Sequence, residues 1–343
     1  MKKCFLTKSK PQRRSLGQTG LSVSCMGMGV LPMGPGQLAL PLDEGAAVIC
    51  DALRRGIDFL DTAQYYRTYP YLRRALELMN LTTRENLRAP KASSAFRLPV
   101  ISSKSLASTY EEMMAAIREC RRELGLSVID IFLMHEVRTG QFGKRSAAWQ
   151  ALQDAKAAGL VRAIGISTHH ADVARQMAEV PACDVVFALL NYRSMGIRNG
   201  LLAGTKEDMA AALASCKAAG KGVYVMKALG GGNLTGEYQK ALDYVFSQDC
   251  VDAVMVGFTN TSEIDDMMCY LSGNMETSYN PDVSRKKMYV NQEDCEGCGA
   301  CLKICAAGAV SYNKNGLAEI DQSRCLTCGY CAQGCPVRAI ILY

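Results

Sequence analysis

Eight of the sixteen cysteines crowd into the C-terminal part of the chain, in two runs of the same spacing. Each run reads C-x2-C-x2-C-x3-C, and the second follows the first by thirty residues. The runs hold Cys295, Cys298, Cys301 and Cys305, and then Cys325, Cys328, Cys331 and Cys335. Neighbouring positions repeat with the same offset, as Gly299 and Gly329 do, so the segment is an internal duplication. Thiolates are soft ligands that bind iron–sulfur clusters or zinc.

The pattern resembles the bacterial two-cluster ferredoxin, in which three closely spaced thiolates bind one cluster and the fourth reaches the other. The resemblance implies two 4Fe–4S clusters, one held by Cys295, Cys298, Cys301 and Cys335, the other by Cys325, Cys328, Cys331 and Cys305. One departure is Ala306, which stands where a proline usually follows the fourth cysteine. A pair of zinc sites is the alternative, although zinc usually takes its four ligands as two separated pairs.

The chain before these cysteines has a different organisation. From residue 24 to residue 271 it alternates between β-like runs and amphipathic helical segments, in eight strand–helix units. This rhythm predicts an α/β fold, a (β/α)8 TIM barrel. The ferredoxin resemblance implies that a small C-terminal α+β ferredoxin-like iron–sulfur domain follows it. A doubly wound sheet is the rival, but no strand-to-helix turn carries G-x-G-x-x-G. The predicted strands are 24–29, 57–61, 100–104, 129–135, 162–167, 185–190, 222–227 and 252–257.

Composition divides the chain into a basic tail over residues 1–13, a barrel over 14–271, a polar linker over 272–287 and a two-cluster domain over 288–343. The formal net charge is +6, and the first fourteen residues carry all of it. No nucleic-acid-binding face is therefore expected on the body of the protein. Bound clusters would make the last domain acidic, so we expect it to dock on a basic barrel.

The sequence also bears on the compartment. No apolar run is long enough to span a membrane, and no secretory signal follows the basic tail. We therefore expect a cytoplasmic location, where clustered cysteines bind metals rather than form disulfides. The eight scattered cysteines are interpreted as small buried hydrophobic residues.

Five barrel segments carry motifs that point to one enzyme family. The D-T-A-x-x-Y motif runs from Asp61 to Tyr66, and further motifs end at Lys104 and His135. Through these motifs the chain from about residue 14 to 271 resembles the aldo/keto reductase family. The matching segments are 16–24, 56–66, 100–104, 129–135 and 159–167.

The resemblance implies a catalytic tetrad of Asp61, Tyr66, Lys104 and His135. Reduction of a carbonyl by hydride leaves an alkoxide that needs a proton, which Tyr66 can supply. The ammonium of Lys104 would lower the tyrosine pKa from its ordinary value of ~10. Asp61 would keep that lysine charged, and His135 would orient the carbonyl oxygen. Tyr65 is the alternative proton donor if the loop register differs by one.

The family's nicotinamide contacts are matched only in part. Ser167 and Thr168 stand where Ser-Asn usually grips the carboxamide. Asn191 is the nearest substitute for a glutamine of the sixth strand. Met226, followed by Lys227, replaces the tyrosine that stacks on the nicotinamide ring.

The adenine end departs further from the family. The clamp on the 2′-phosphate aligns with Gly257 and Glu263, and an acid there repels a phosphate. If a nicotinamide cofactor binds, we therefore expect NADH as readily as NADPH. The alternative is that no dinucleotide binds.

Three interpretations of the function follow. In the first, the chain interconverts a small carbonyl and alcohol with a nicotinamide as hydride source, and its clusters exchange electrons with a redox protein partner. In the second, the barrel active site is reduced through the clusters without nicotinamide. In the third, the chain is a ferredoxin-type electron relay with a non-catalytic barrel scaffold. A nicotinamide gives up two electrons at once and a cluster passes one, and no flavin motif supplies a converter.

Overall fold

The computed structural model describes residues 10–81 and 98–343. Strands up to residue 203 are β1 (Arg13–Ser15), β2 (Ser22–Ser24), β3 (Met26–Gly29), β4 (Phe59–Asp61), β5 (Val100–Ser105), β6 (Ile129–Met134), β7 (Val161–Thr168), β8 (Val185–Leu189), β9 (Arg198–Asn199) and β10 (Leu202–Ala203). Later strands are β11 (Gly222–Met226), β12 (Ala253–Gly257), β13 (Met288–Val290), β14 (Val310–Tyr312), β15 (Ala318–Ile320) and β16 (Ile340–Leu342). Eight of them, β3 to β8 with β11 and β12, close into a parallel barrel. The predicted TIM barrel is therefore confirmed, and the doubly wound sheet is wrong.

Helices cover the outside of the barrel. They are α1 (Leu42–Arg54), α2 (Tyr69–Leu78), α3 (Tyr110–Leu124), α4 (Gln141–Lys144), α5 (Ser146–Ala157), α6 (Ala171–Ala178), α7 (Lys206–Ala218), α8 (Tyr238–Phe246) and α9 (Thr261–Leu271). Local sequence fixes several ends. Thr109 and Glu112 form a reciprocal capping box at the start of α3. Gly125 ends that helix in the left-handed region (φ 68°), where glycine carries no Cβ penalty.

The β1–β2 hairpin closes the floor of the barrel. Its Leu16, Leu21 and Val23 are buried in one cluster with inward-facing strand residues such as Phe59 and Tyr224. The chain switches from hairpin to barrel at Cys25, whose N–H donates to Gln12 O (2.7 Å). The strand predicted over residues 24–29 is therefore split between β2 and β3. With the floor closed, the side chains that can meet a ligand lie at the C-terminal ends of the strands.

The C-terminal domain is built from two short antiparallel pairs, β13 with β16 and β14 with β15. Each cysteine run leads into a short helix, α10 (Ala300–Ile304) and α11 (Tyr330–Gln333). Val310 pairs with Ile320 and Val290 with Ile340, so each β-ladder joins one half of the duplication to the other. This exchange brings the end of each run beside the start of the other.

Residues 272–287, where the sequence predicts a linker, contact the barrel. Tyr279 donates a hydrogen bond to Asp266 of α9 (2.5 Å), and Lys286 pairs with Glu263 of the same helix (2.5 Å). The C-terminal domain also contacts the barrel directly, since Leu342 N–H donates to Gly231 O (2.8 Å). The expected docking of the two parts is present in the structure.

The N-terminal tail and the scattered cysteines were also interpreted from the sequence. Residues 1–9 of the expected basic tail lie outside the described residues, as does Cys4. Five scattered cysteines are buried as expected, namely Cys25, Cys50, Cys120, Cys183 and Cys216, while Cys250 is partly exposed. Cys269 is likewise buried, as a disulfide-bonded cysteine rather than a free thiol. None of the helices in residues 10–81 and 98–343 combines the length and apolar character needed to cross a membrane.

Candidate active site and cluster-binding domain

The four candidate catalytic residues meet at the C-terminal mouth of the barrel. Asp61 is the last residue of β4, and Tyr66 ends the short 3-10 turn that follows it. Lys104 lies near the end of β5, and His135 directly follows β6. The structure therefore brings together the four side chains that the motifs selected.

Lys104 is the centre of the group. Its side chain is fully buried, and its Nζ donates to Asp61 Oδ2 (2.6 Å) and to Thr62 O (2.7 Å). The same Nζ lies 4.9 Å from the centroid of the Tyr66 ring. Burial lowers the lysine pKa, and the charge of Asp61 opposes that change. Asp61 thus favours a charged lysine in a place where water cannot solvate it.

Tyr65, Tyr66 and His135 form an aromatic group beside this ion pair. Tyr65 stacks on His135 at 5.1 Å between ring centroids, and Tyr66 meets His135 edge-on at 5.7 Å. Of the two tyrosines, Tyr66 is the one with the Lys104 ammonium against its ring. This contact favours Tyr66 over Tyr65 as the proton donor. Burial lowers the pKa of His135 well below its ordinary value, so the imidazole is neutral. A neutral imidazole can donate to a carbonyl oxygen without protonating it.

The Tyr66 pKa departs from the sequence-based expectation. Burial, followed by the charges of Asp61 and Glu136, raises this pKa well above 10. Burial and these carboxylates are the leading influences on the Tyr66 pKa, so the expected lowering by the charge of Lys104 stays a prediction. Tyr66 is held in its protonated form, which is the form that a proton donor needs.

A cavity of about 2350 Å³ extends from the tetrad toward the β12–α9 connection. Of the candidate cofactor contacts, five line it, and these are Ser167, Met226, Lys227, Gly257 and Glu263. Thr168 and Asn191 are absent from its lining. Residues of the linker and of the C-terminal domain cover the opposite wall, among them Lys286 and Asp294. The cavity is thus shared between the barrel and the segments that follow it.

Polar groups at the expected nicotinamide end are already engaged. Ser167 Oγ accepts from Glu136 N–H (3.0 Å). Thr168 Oγ1 donates to Val137 O (2.7 Å) and accepts from a following backbone N–H. The fully buried Asn191 bonds backbone groups of its own loop, including Met195 N–H (2.9 Å) and Met195 O (3.0 Å). These residues do not fit the family's grip on a carboxamide.

At the adenine end, the linker supplies the cation that the barrel lacks. Lys286 Nζ pairs with Glu263, whose other oxygen accepts from Thr259 N–H (2.7 Å) and Oγ1 (3.0 Å). Glu263 is therefore neutralised by a residue from outside the barrel. Sequence reasoning missed Lys286, although the basic run at 285–287 was its signal.

A second pair of charges links the mouth of the barrel to the cysteine domain. Lys227 Nζ donates to Asp294 Oδ2 (2.9 Å), and Asp294 directly precedes Cys295. Burial and then the charge of Asp294 raise the pKa of Glu136 to about 8. Burial acts to raise the pKa of Asp294, but the charge of Lys227 and a hydrogen bond from Glu136 hold that pKa below its ordinary range. Neither carboxyl group carried a motif, so the sequence did not single them out.

The surroundings of the clustered cysteines fit iron–sulfur clusters. Backbone N–H groups donate to four of the sulfurs at 3.3–3.4 Å, those of Cys295, Cys305, Cys325 and Cys335. Such donors stabilise negative charge on cluster thiolates. After burial, the charges that raise the Cys301 pKa are those of Cys335, Cys295 and Cys298. Those that raise the Cys331 pKa to about 11 are Cys305, Cys328 and Cys325. The thiols that act on Cys301 and on Cys331 are thus the partners that the ferredoxin resemblance implies for each of them.

Known proteins match both parts of the chain. The model of the aldo/keto reductase family matches residues 25–245, and that of a 4Fe-4S dicluster domain matches residues 294–339. The L-galactose dehydrogenase of Arabidopsis thaliana is 27% identical over 198 residues, which are 57% of this chain and 60% of that protein. A component of an ion-translocating oxidoreductase complex from Methanosarcina acetivorans is 50% identical over 61 residues, 18% of this chain and 23% of that protein.

A solved structure supports the fold of the barrel. A putative aldo-keto reductase from Pseudomonas aeruginosa superposes with a TM-score of 0.60 at 20% identity, covering 78% of this chain and 98% of that one. The chain spans less than two thirds of the plant dehydrogenase, so substrates do not follow from that match. The two family models thus place an aldo/keto reductase domain and a 4Fe-4S dicluster domain in one chain. With the family model covering most of its barrel, the chain belongs to the aldo/keto reductase family.

Proposed function

We propose that the barrel interconverts a small carbonyl compound and its alcohol, and that the electrons pass through the two clusters rather than through a nicotinamide held in the family's way. The observation that carries this proposal is the ion pair between Lys227 and Asp294 (2.9 Å). Asp294 lines the same cavity as Tyr66 and is joined by a peptide bond to a candidate cluster ligand, Cys295. The cluster domain therefore forms part of the active-site wall.

The proposed ligand sets are those that the ferredoxin resemblance implies, and the thiols that act on Cys301 and Cys331 support them. Cys295, Cys298, Cys301 and Cys335 hold the first cluster, and Cys325, Cys328, Cys331 and Cys305 hold the second. The first cluster faces the barrel, because Asp294 and Glu296, on either side of Cys295, pair with Lys227 and Arg138. When bound, each cluster supplies or accepts one electron at a time.

The tetrad would perform the proton chemistry. Reduction of a carbonyl to an alcohol takes up two electrons and two protons, and two clusters together supply two electrons. Tyr66 gives the proton to the carbonyl oxygen, which His135 holds by a hydrogen bond. Lys104 stabilises the phenolate that remains on Tyr66, and Asp61 holds that lysine in place. Solvent returns the proton to Tyr66 and supplies the one on carbon.

A nicotinamide as hydride source is the second candidate. It is favoured by the length of the cavity, which reaches from Tyr66 to Glu263. With Glu263 already paired to Lys286, the acid there opposes a phosphate less than the sequence implied. NADH and NADPH are both candidates under this alternative.

An external redox protein would supply or remove the electrons. Leu326 and Tyr330, beside the proposed ligands of the second cluster, are 74% and 61% exposed. That cluster is therefore accessible from outside, which suits exchange with a partner. We place the protein in the cytoplasm, where thiolate ligands stay reduced.

An anaerobic titration separates the two candidates. The cluster-loaded protein is titrated in parallel with NADH, with NADPH and with a one-electron donor, while cluster absorbance and nicotinamide fluorescence are followed. We expect bleaching by the one-electron donor alone and recovery of absorbance when a carbonyl such as a small aldose is added. Tight nicotinamide binding, with alcohol formed while the clusters stay oxidised, would overturn the cluster route.

A further inference from the structure

Arg338 is a buried cation whose charge nothing in the described chain fully satisfies. Its side chain has no solvent exposure. Nη1 donates to Ile340 O, whereas Nε and Nη2 are buried and have no hydrogen-bond partner among the described residues. Burying an unpaired cation is costly. Two unsatisfied N–H-bearing atoms of a guanidinium therefore point to a negative group nearby.

The backbone at Arg338 is also unfavourable for an arginine. Its φ is +62°, in the left-handed region that favours glycine. The equivalent position of the first half, thirty residues earlier, is Gly308, with φ +55°. The fold therefore requires a left-handed residue at this position in both halves. Only the second half places a side chain there, at a conformational cost.

The barrel makes room for that side chain. A Cβ on Gly196 would collide with the Cβ of Arg338, and one on Gly231 would lie 3.3 Å from Arg338 Nη2. Both glycines belong to barrel loops and have positive φ. Arg338 thus lies in the contact between barrel and cluster domain, where water does not screen its charge.

The position relates Arg338 to one cluster in particular. Its backbone N–H donates to Cys335 O (3.4 Å), and the next N–H, of Ala339, donates to Cys335 Sγ (3.3 Å). Three negative charges act on the guanidinium, and from the largest effect to the smallest they are those of Cys335, Asp294 and Cys331. Burial lowers the arginine pKa only to about 10, so the side chain stays charged near neutral pH.

We propose that Arg338 sets the reduction potential of the cluster held by Cys295, Cys298, Cys301 and Cys335, and makes it the more easily reduced of the two. Reduction adds a negative charge to the cluster, and an unscreened cation beside it favours that state. Electrons entering at the exposed second cluster would then move toward the barrel. This inference rests on the cluster assignment and not on the carbonyl reaction, so either can fail alone.

The second half of the module offers a matched control. Arg324 directly precedes Cys325, as Asp294 precedes Cys295, and its Nη2 donates to Ala307 O (3.1 Å) near Gly308. Each cluster region therefore has one arginine beside its fourth ligand. Arg324 is exposed to solvent whereas Arg338 is buried. Because solvent screens the exposed charge, only Arg338 should matter strongly.

The test is a potentiometric titration followed by electron paramagnetic resonance on the full-length, cluster-loaded protein. We expect Arg338→Met to lower the midpoint potential of one cluster while the other changes much less. Arg338→Lys should restore most of the loss, and Arg324→Met should leave both midpoints near their starting values. Unchanged midpoints in Arg338→Met would overturn the proposal, as would an equal shift in Arg324→Met.

A second neutral variant, Arg338→Gly, keeps the proposal testable if Arg338→Met fails to bind its clusters. Arg338→Gly places in the second half the residue that the first half already has, so its backbone is free of strain. If Arg338→Met does not retain its clusters, Arg338→Gly should retain them and show the same lowered midpoint. If both neutral variants lose the clusters while Arg338→Lys keeps them, the cation is needed for loading and the proposal is wrong.

Discussion

Lys227, which directly follows β11, and Asp294, which directly precedes the first cysteine of the cluster domain, form an ion pair of 2.9 Å at the mouth of the barrel. The side chains of Lys227 and Asp294 are only 19% and 4% exposed. Residues of the barrel and of the cluster domain line the same cavity beside this contact. It also places a residue of the cluster domain against Lys227, one of the candidate cofactor contacts.

Removal of the Asp294 charge should weaken the docking of the cluster domain. Asp294→Asn leaves Lys227 without its carboxylate, and breaking one side of a buried pair costs about 3 kcal/mol or more. We expect faster protease cleavage within residues 272–287. Glu296→Gln is the control, because its pair with Arg138 is 37–41% exposed and such pairs contribute about 0–1 kcal/mol. Equal cleavage rates in both variants would argue against this role of the pair.

The Tyr66 hydroxyl is expected to be essential for turnover. Tyr66→Phe removes the proton donor and should lower the rate of carbonyl reduction by about 10²-fold or more. Cluster absorbance should be unaffected, since Tyr66 lies in the barrel. Tyr65→Phe is the matched control, because Tyr65 lacks the contact with Lys104 and should lose far less activity. Steady-state rates of the two variants decide between the neighbouring tyrosines.

The ion pair inside the barrel should matter for stability as well as for catalysis. Lys104→Met leaves Asp61 charged and buried without its partner, which costs about 3–5 kcal/mol. The double variant with Asp61→Asn should recover most of that loss but none of the activity. Urea unfolding of both variants measures the difference. A single variant as stable as the double variant would show that Asp61 does not need its cation.

Glu136 should make stability depend on pH. Its folded-state pKa of about 8 lies above the unfolded value of ~4.3, so the folded state binds the proton more tightly. The resulting stabilisation is present below about pH 4 and is lost as the pH rises toward 8. Glu136→Gln mimics the protonated form. Its stability should nearly equal that of the original protein at about pH 4 and exceed it by a margin that grows as the pH rises to 8.

Thermal unfolding of the cluster-loaded protein across this pH range is the measurement. Glu111→Gln is the reference variant, because Glu111 is exposed in the first turn of α3 and its removal should change the pH dependence far less. Parallel curves for Glu136→Gln and the original protein would contradict the raised pKa of Glu136.

Local patterns sufficed for the barrel and for the position of the tetrad. Alternating strands and helices that end at glycine produce the fold through short-range rules. Asp61 and His135 lie at strand ends because their motifs span those ends. The cysteine spacing likewise predicted a two-cluster module.

Local sequence patterns did not predict the contacts between segments that are distant in the chain. Lys227 and Asp294 are 67 residues apart, and the pair depends on how two domains dock. Thr168 and Asn191, two predicted cofactor contacts, lie outside the cavity lining and bond nearby backbone, which no residue type reveals. The raised Tyr66 pKa depends on burial among several groups, so it too required the folded arrangement.

The central claim is that electrons reach the barrel through the clusters. It is tested most directly by a single-turnover experiment in which fully reduced protein, freed of excess reductant and of nicotinamide, is mixed with a carbonyl substrate. We predict one alcohol formed per two clusters reoxidised, and none in Tyr66→Phe. Alcohol that forms only after NADH or NADPH is added, with the clusters still reduced, would contradict the account.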